Sequence, residues 1–181
     1  MLKDRIKPGV RVLFVGINPG MRSDQTGHHF AGYSNRFWKL LWESGLAPRP
    51  VTYLDDDHLP EWGYGMTNLV PRATPGVSDL TPAEYIAGRA ALERKIRRFK
   101  PQIVALIGVS LARALLSGTR AALEVGPHTE TLAGAPVFVL PNPSGRNAHF
   151  SYARMLEVFT DLKRHLDAPR KQGKVKRTKS S

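Results

Sequence analysis

Apolar residues along this chain recur with two periods. Val10, Val12, Leu13, Phe14 and Val15 form a β-branched and aromatic run without clean alternation, and Ile103 to Gly108 and Pro136-Val-Phe-Val-Leu-Pro141 read the same way. Such runs predict strands of a parallel sheet covered on both faces. Gly65-Met-Thr-Asn-Leu-Val-Pro71 predicts a short strand or extended loop. Between these runs the period lengthens to that of a helix. Ser34 offers an N-cap for a helix over Asn35–Ser44, with Phe37, Leu40, Leu41 and Ser44 on one face, Trp38 and Trp42 beside them, and Gly45 as terminator. Thr81-Pro-Ala-Glu84 is a capping box with proline at the first helical position and opens a helix to about Phe99. A helix over Ser110–Ser117 is closed by Gly118, and Ser151 caps a last one to about Leu166, with Met155, Leu156, Phe159, Leu162 and Leu166 facing inward. Met21–Tyr33 lacks apolar periodicity and reads as a long loop, and residues 46–64, punctuated by Pro48, Pro50, Pro60 and Gly63, carry no firm element. Strands alternating with helices specify an α/β layered fold with a mainly parallel sheet.

A chain of 181 residues, 41% of them apolar, predicts one domain able to bury a substantial core, here residues 1–167. The opening Met-Leu-Lys-Asp-Arg lacks the apolar core of a signal peptide and no run is long enough to span a membrane, so a cytoplasmic protein is expected. With no cysteine, disulfides, thiolate-held clusters and a cysteine nucleophile are excluded. The net charge of +12 is unevenly placed. Arg170, Lys171, Lys174, Lys176, Arg177 and Lys179, with no acid among residues 168–181, supply half of it. That tail has little to bury and is expected to be disordered, either as a phosphate tether or as a solubilising end. A basic tail on a basic body points to a polyanion, with nucleic acid ahead of a membrane surface because no basic amphipathic helix accompanies it.

Two of the predicted strands run straight into similar turns, Gly16-Ile-Asn-Pro-Gly20 and Asn142-Pro-Ser-Gly145. Ligands of open α/β sheets bind at the carboxyl ends of the strands, where parallel strands bring such turns together. Pro19 pushes Asn18 towards an extended conformation, so its amide is held rigidly where it can orient a substrate or a water. Asn-Pro-Gly is equally an ordinary turn composition. The asparagine, serine and freed backbone amides of the second turn suit phosphates and base edges.

In chain order, Gly16-Ile-Asn-Pro-Gly20, His28-His-Phe30, Asn35-Arg-Phe-Trp-Lys39, Thr67-Asn-Leu-Val70 and Asn142-Pro-Ser-Gly145 resemble the mismatch-specific uracil and thymine DNA glycosylases over residues 8–166, the basic tail lying outside. The resemblance implies a three-layer α/β/α fold with a central, mainly parallel four-stranded sheet. It implies hydrolysis of the N-glycosidic bond of uracil, and of thymine or other modified pyrimidines, especially opposite guanine in double-stranded DNA. The base is flipped into a pocket, an abasic site remains, and base excision repair begins there. By the same resemblance Asn18 positions the water, with the Ile17 backbone contacting the base, Phe30 stacking on it and Asn68 at its edge. Asn142, Ser144, Gly145, Arg146 and Asn147 then form the DNA-binding wedge loop. Arg146-Asn-Ala-His-Phe150 looks more like the thymine glycosylase branch than the aliphatic wedge of the uracil-specific one, so Arg146 is the residue expected to fill the gap, with Asn147 against the widowed guanine.

Adjacent His28 and His29 lack the spaced partners of a metal site, so neither metal nor cofactor is expected, although one histidine can touch substrate or phosphate. Asp55-Asp-Asp57 reads as a solvated loop, and Asp79 either as an ordinary helix-flanking acid or as an accessory acid/base in the cleft. One cleft serving one lesion leads to the expectation of a monomer. Two other readings remain at this point. One is a damage-binding protein that keeps pocket and wedge without turnover; the other is a nucleotide-binding α/β enzyme, which lacks any G-x-x-x-x-G-K loop here.

Overall fold

The computed structural model describes residues 1–116 and 123–169. Five strands, β1 (Val12–Gly16), β2 (Tyr64–Asn68), β3 (Ile103–Ile107), β4 (Gly126–Leu132) and β5 (Ala135–Leu140), form one sheet in the order β2-β1-β3-β5-β4. All neighbours are parallel except β4 and β5. The four parallel strands are those anticipated; the four-stranded sheet is corrected to five by β4. This strand alternates exposed and half-buried positions, contains Pro127 and lies at the sheet edge, so it has no apolar run to betray it. Ala133 and Gly134, both at positive φ, make the tight turn into β5.

Around the sheet lie α1 (Met21–Thr26), α2 (Phe37–Glu43), α3 (Pro82–Phe99), α4 (Val109–Leu115) and α5 (Tyr152–Asp167). The absence of alternation in β1 has its physical reason here. Val12 and Phe14 join Phe37, Leu40, Leu41, Met155, Phe159 and Leu162 of α2 and α5 on one face, and Leu13 and Val15 join Leu92, Ile96, Leu111 and Leu115 of α3 and α4 on the other. Both faces of every central strand are thus dry, which gives the three-layer α/β/α arrangement. The capping box of α3 forms at Thr81 and the cap of α5 at Ser151 as anticipated. For α2 the N-cap is Arg36 rather than Ser34, without a side-chain cap bond, and Asn35 Oδ1 just before it accepts from the Phe37 N–H at 2.9 Å.

Two segments read as irregular are ordered. Met21–Thr26 is a helix, and Tyr53–Trp62 is a 3₁₀ helix whose own capping box uses Thr52 and Asp55. The first is too short and polar to show periodicity, and the second carries Pro60. Helix α4 ends at Leu115, where Leu116 turns extended, and not at the anticipated Ser117; Ser117, Gly118 and the tail from residue 170 lie outside the described residues. Among the described residues no helix is long and apolar enough to cross a membrane.

Helix α3 approaches the end of β2 most closely at Gly88. A Cβ there would stand 2.3 Å from the Leu69 carbonyl oxygen, which is backbone and cannot swing away. Gly88→Ala is therefore expected to lower stability by about 1–3 kcal/mol despite alanine's better helix propensity. The urea midpoint at unchanged m-value measures it, and a stabilised variant would contradict the packing argument.

Candidate active site

The site is assembled where parallel pairing continues past the ends of β1 and β2. Leu69 and Val70 N–H donate to the Gly16 and Ile17 carbonyls at 2.8 Å each, and Thr74 N–H to the Pro19 carbonyl at 3.2 Å. The two loops are thereby zipped together. Asn18 sits between these bonds. Its Nδ2 donates to the Thr74 hydroxyl at 2.7 Å and to the Arg72 carbonyl at 3.0 Å. The Thr74 hydroxyl spends its proton on the Gly76 carbonyl at 2.7 Å, so towards Asn18 it is an acceptor, as a carbonyl must be. The amide orientation is therefore determined. Both N–H bonds point into the protein, and among the described residues Oδ1 has no protein donor, leaving a fixed neutral acceptor.

Beside it, buried Gly16 pairs in register with Asn68. A Cβ on Gly16 would lie 2.6 Å from Asn68 Oδ1 and 3.6 Å from Phe30 Cζ. Ring and carboxamide thus converge on the one position that glycine leaves empty. Phe30 stacks on Phe37 with centroids 4.6 Å apart and takes a positive φ of 51°, which a bulky residue adopts only where its surroundings impose it. Asn68 keeps donor and acceptor uncommitted among the described residues, which suits the edge of a pyrimidine.

What imposes the Phe30 conformation is a buried charge. Asp56, fully buried, accepts from the His29 N–H at 2.8 Å and from Arg5 Nη2 at 3.3 Å, and pairs with His28 Nδ1 at 2.8 Å. The reading of Asp55-Asp-Asp57 as a solvated loop is corrected at Asp56. Nothing local in three consecutive aspartates marks which one turns inward, because its partners are 27 and 51 residues away. His29 is also structural, its Nε2 at 2.9 Å from the Lys3 carbonyl and its own carbonyl accepting from Trp38 Nε1 at 3.1 Å. Burial holds its imidazole below the ordinary histidine range. No group of three or more His, Cys, Asp or Glu among the described residues is placed to hold a metal ion.

The second turn is a self-bonded loop. Asn142 Oδ1 accepts from Ser144 N–H at 3.0 Å, Ser144 Oγ from Arg146 N–H at 3.3 Å, and Asn147 Nδ2 donates to the Asn142 carbonyl at 2.9 Å while its Oδ1 accepts from His149 N–H. The Asn147 carboxamide thus spends one donor and one acceptor on the loop and keeps a second N–H and a second lone pair. Arg36 ties the loop to α2, its backbone N–H donating to the Pro143 carbonyl at 3.0 Å and Nη2 to the Ser144 carbonyl at 2.9 Å. Gly145 is needed for contact: a Cβ there would be 2.5 Å from Ser34 Cβ. Arg146 is left exposed, at the rim of a groove of about 470 Å³ that Ile17, Arg113, Ser144 and His149 also line. Ile17 therefore belongs to the groove, and its carbonyl is taken by Val70. Asp79 lies on an exposed 3₁₀ turn and makes no hydrogen bond to Asn18; its carbonyl accepts from Arg72 at 2.8 Å and its N–H donates to the Gly76 carbonyl at 3.3 Å. Arg72 in turn grips both oxygens of Glu84 and holds that carboxyl down to about 2.

Thr74, Arg5 and Arg36 are not marked by the sequence as site residues, and Asp56 only as a member of the Asp55–Asp57 run; Arg36 belongs to the Asn35–Lys39 motif.

The family model describing the uracil DNA glycosylase superfamily matches residues 4–163. The solution NMR structure of a putative uracil DNA glycosylase from Methanosarcina acetivorans resembles this chain with a TM-score of 0.64, covering 92% of this chain and 97% of that one at 18% identity. At that identity the likeness is one of fold.

A histidine whose folded pKa is depressed leaves the native state short of a proton that the unfolded chain takes up. Its contribution to stability is present above the unfolded value of about 6.5 and is lost as pH falls towards the lower folded value. The wild type is expected to lose stability as pH falls below about 6.5 more steeply than His29→Gln, read from urea midpoints at each pH. Parallel slopes would show that His29 does not carry the effect.

Proposed function

We propose a specific activity for this chain, which belongs to the uracil DNA glycosylase superfamily: removal of uracil, and of thymine or related pyrimidines, especially opposite guanine in double-stranded DNA. The product is an abasic site. The observation that carries this reading is the pinned amide of Asn18, whose two N–H groups are consumed by Arg72 and Thr74 so that Oδ1 is left as a fixed acceptor. An acceptor of this kind can hold a water by one O–H and aim its lone pair.

The chemistry needs little more. As the C1′–N1 bond lengthens, its electron pair passes into the pyrimidine ring, and positive charge spreads over the sugar. The water held by Asn18 Oδ1 forms the new bond to C1′, and its proton ends on the departing base. A neutral amide suffices because the sugar cation is already electrophilic, so orientation replaces basicity. Asn68, with a free amide donor, stabilises the charge on the pyrimidine oxygens, and its free acceptor takes the N3–H. Phe30, braced by Phe37 and close to Gly16 and Asn68, supplies the stacking face. A base reaches these residues only by leaving the helix, and Arg146, exposed on its stapled loop, is the group to enter the gap. Arginine suits the task because its planar guanidinium stacks on bases and pairs with phosphate. Asp79 takes no part in this scheme.

Asn18→Ala is expected to lower the single-turnover rate of abasic-site formation in a G·U duplex by about 10²–10³-fold with binding retained. Asp79→Ala should leave it nearly unchanged. The measurement is alkali cleavage of end-labelled duplex under enzyme excess. Tight duplex binding by a wild type that forms no abasic sites would replace this reading with that of a damage-binding protein. Arg146→Ala is expected to speed release of the abasic duplex, seen as a higher multiple-turnover rate; equal losses on duplex and single strand would argue against a wedge.

A further inference from the structure

The loop that carries Phe30 leaves one large ring in solvent before it enters α2. Tyr33 is 89% exposed. It is nevertheless held in place. The Arg22 guanidinium lies 3.8 Å from the ring centroid, its Nη1 donates to the Tyr33 hydroxyl at 2.8 Å, and its Nε donates to the Ala31 carbonyl at 2.7 Å. A cation therefore backs one face of the ring, and its own anchor is the same loop. The other face is open.

The position of this ring gives it a use. Ser34 packs against Gly145 of the loop bearing Arg146, and the Phe30 ring reaches Gly16. With Cα atoms 3.8 Å apart along the chain, Tyr33 stands within about 4 Å of Ser34 and about 11 Å of Phe30, backbone to backbone. Its backbone is thus carried between the residue that packs on the wedge loop and the ring beside Gly16. An aromatic face held rigid by a guanidinium and left open beside a site for a flipped base is matched to a second flat, unpaired ring.

We propose that Tyr33, backed by Arg22, is a stacking platform for an unpaired nucleobase next to the flipped nucleotide, through which the site also takes single-stranded DNA. This rests on the DNA reading of the site given above. The neighbours of a flipped base in a duplex remain stacked within the helix and offer no free face. In a single strand every neighbour does. The platform therefore discriminates between the two forms of substrate, contributing to single-strand affinity and little to duplex affinity.

The test compares wild type, Tyr33→Ala and Tyr33→Phe on oligodeoxynucleotides carrying the non-hydrolysable 2′-fluoro-2′-deoxyuridine, single-stranded or opposite guanine, with 2-aminopurine as the adjacent base. Tyr33→Ala is expected to weaken single-strand binding by about tenfold or more, measured by anisotropy, and to abolish the binding-induced change in 2-aminopurine fluorescence. Duplex affinity should stay within about twofold, and Tyr33→Phe, which keeps the ring and loses only the hydroxyl, should resemble wild type on both. Equal weakening on both substrates, no weakening on either, or a Tyr33→Phe variant as impaired as Tyr33→Ala would each overturn the platform. Because Tyr33 is exposed, an unchanged thermal midpoint checks that the fold is intact. Failure of the glycosylase reading is separable: a wild type that forms no abasic sites on ordinary deoxyuridine leaves the binding and fluorescence arms to judge Tyr33 by themselves.

Discussion

Three consecutive backbone hydrogen bonds beyond the ends of β1 and β2, from Leu69, Val70 and Thr74 to the carbonyls of Gly16, Ile17 and Pro19, hold the site together. Turns after parallel strands are ordinarily independent of one another. Here they share a ladder, so the register set inside the sheet by Val12 against Tyr64 extends to Gly16 against Asn68 and onward to Asn18. Buried on both faces, these strands have little freedom to slip, and the rigidity of the core is passed directly to the Asn18 amide. Its placement is fixed by folding.

The second half of the site depends on an unpaired-looking acid that is in fact well satisfied. Burying a carboxylate costs several kcal/mol unless hydrogen bonds and opposite charge offset it. Asp56 has a backbone N–H, a guanidinium and an imidazole around it, contributed by the amino-terminal segment and by the His28–Phe30 loop. Removing any one partner leaves a buried charge short of its complement, so these segments are coupled, and the strained torsion of Phe30 is maintained by bonds that do not touch its ring. His29, buried and neutral, closes the same assembly against Lys3 and Trp38.

The wedge loop follows a different logic. Its polar side chains are largely spent on its own backbone, which leaves Arg146 as the outward group on a preformed support. The loop is thereby preorganised, the entropy of fixing it having been met during folding. Arg22 does for Tyr33 what this loop does for Arg146: each exposed group is carried on a support held by its own hydrogen bonds.

What the sequence determined by itself is what local patterns encode. The unalternating runs at Val12–Val15, Ile103–Ile107 and Val137–Leu140 specified buried parallel strands, Thr81 and Ser151 marked helix starts, and the turns at Asn18 and Asn142 stood out because glycine and proline constrain the backbone wherever they occur. Residues 16–20, 28–30, 67–70 and 142–145 were legible as a constellation for the same reason. The rest was a matter of distance along the chain. An edge strand such as β4, with one row of backbone groups facing solvent, needs no apolar run and leaves none to read. Asp56 is no different in sequence from Asp55 or Asp57; it is buried because Arg5 and His29 arrive from elsewhere. The direction of the Asn18 amide was decided by Thr74 and Arg72, more than fifty residues on, and the commitment of Asn147 to its own loop by a fold that brings its carboxamide back to Asn142. Hydrogen-bond partners are chosen by proximity in space, and only the packed tertiary structure creates that proximity.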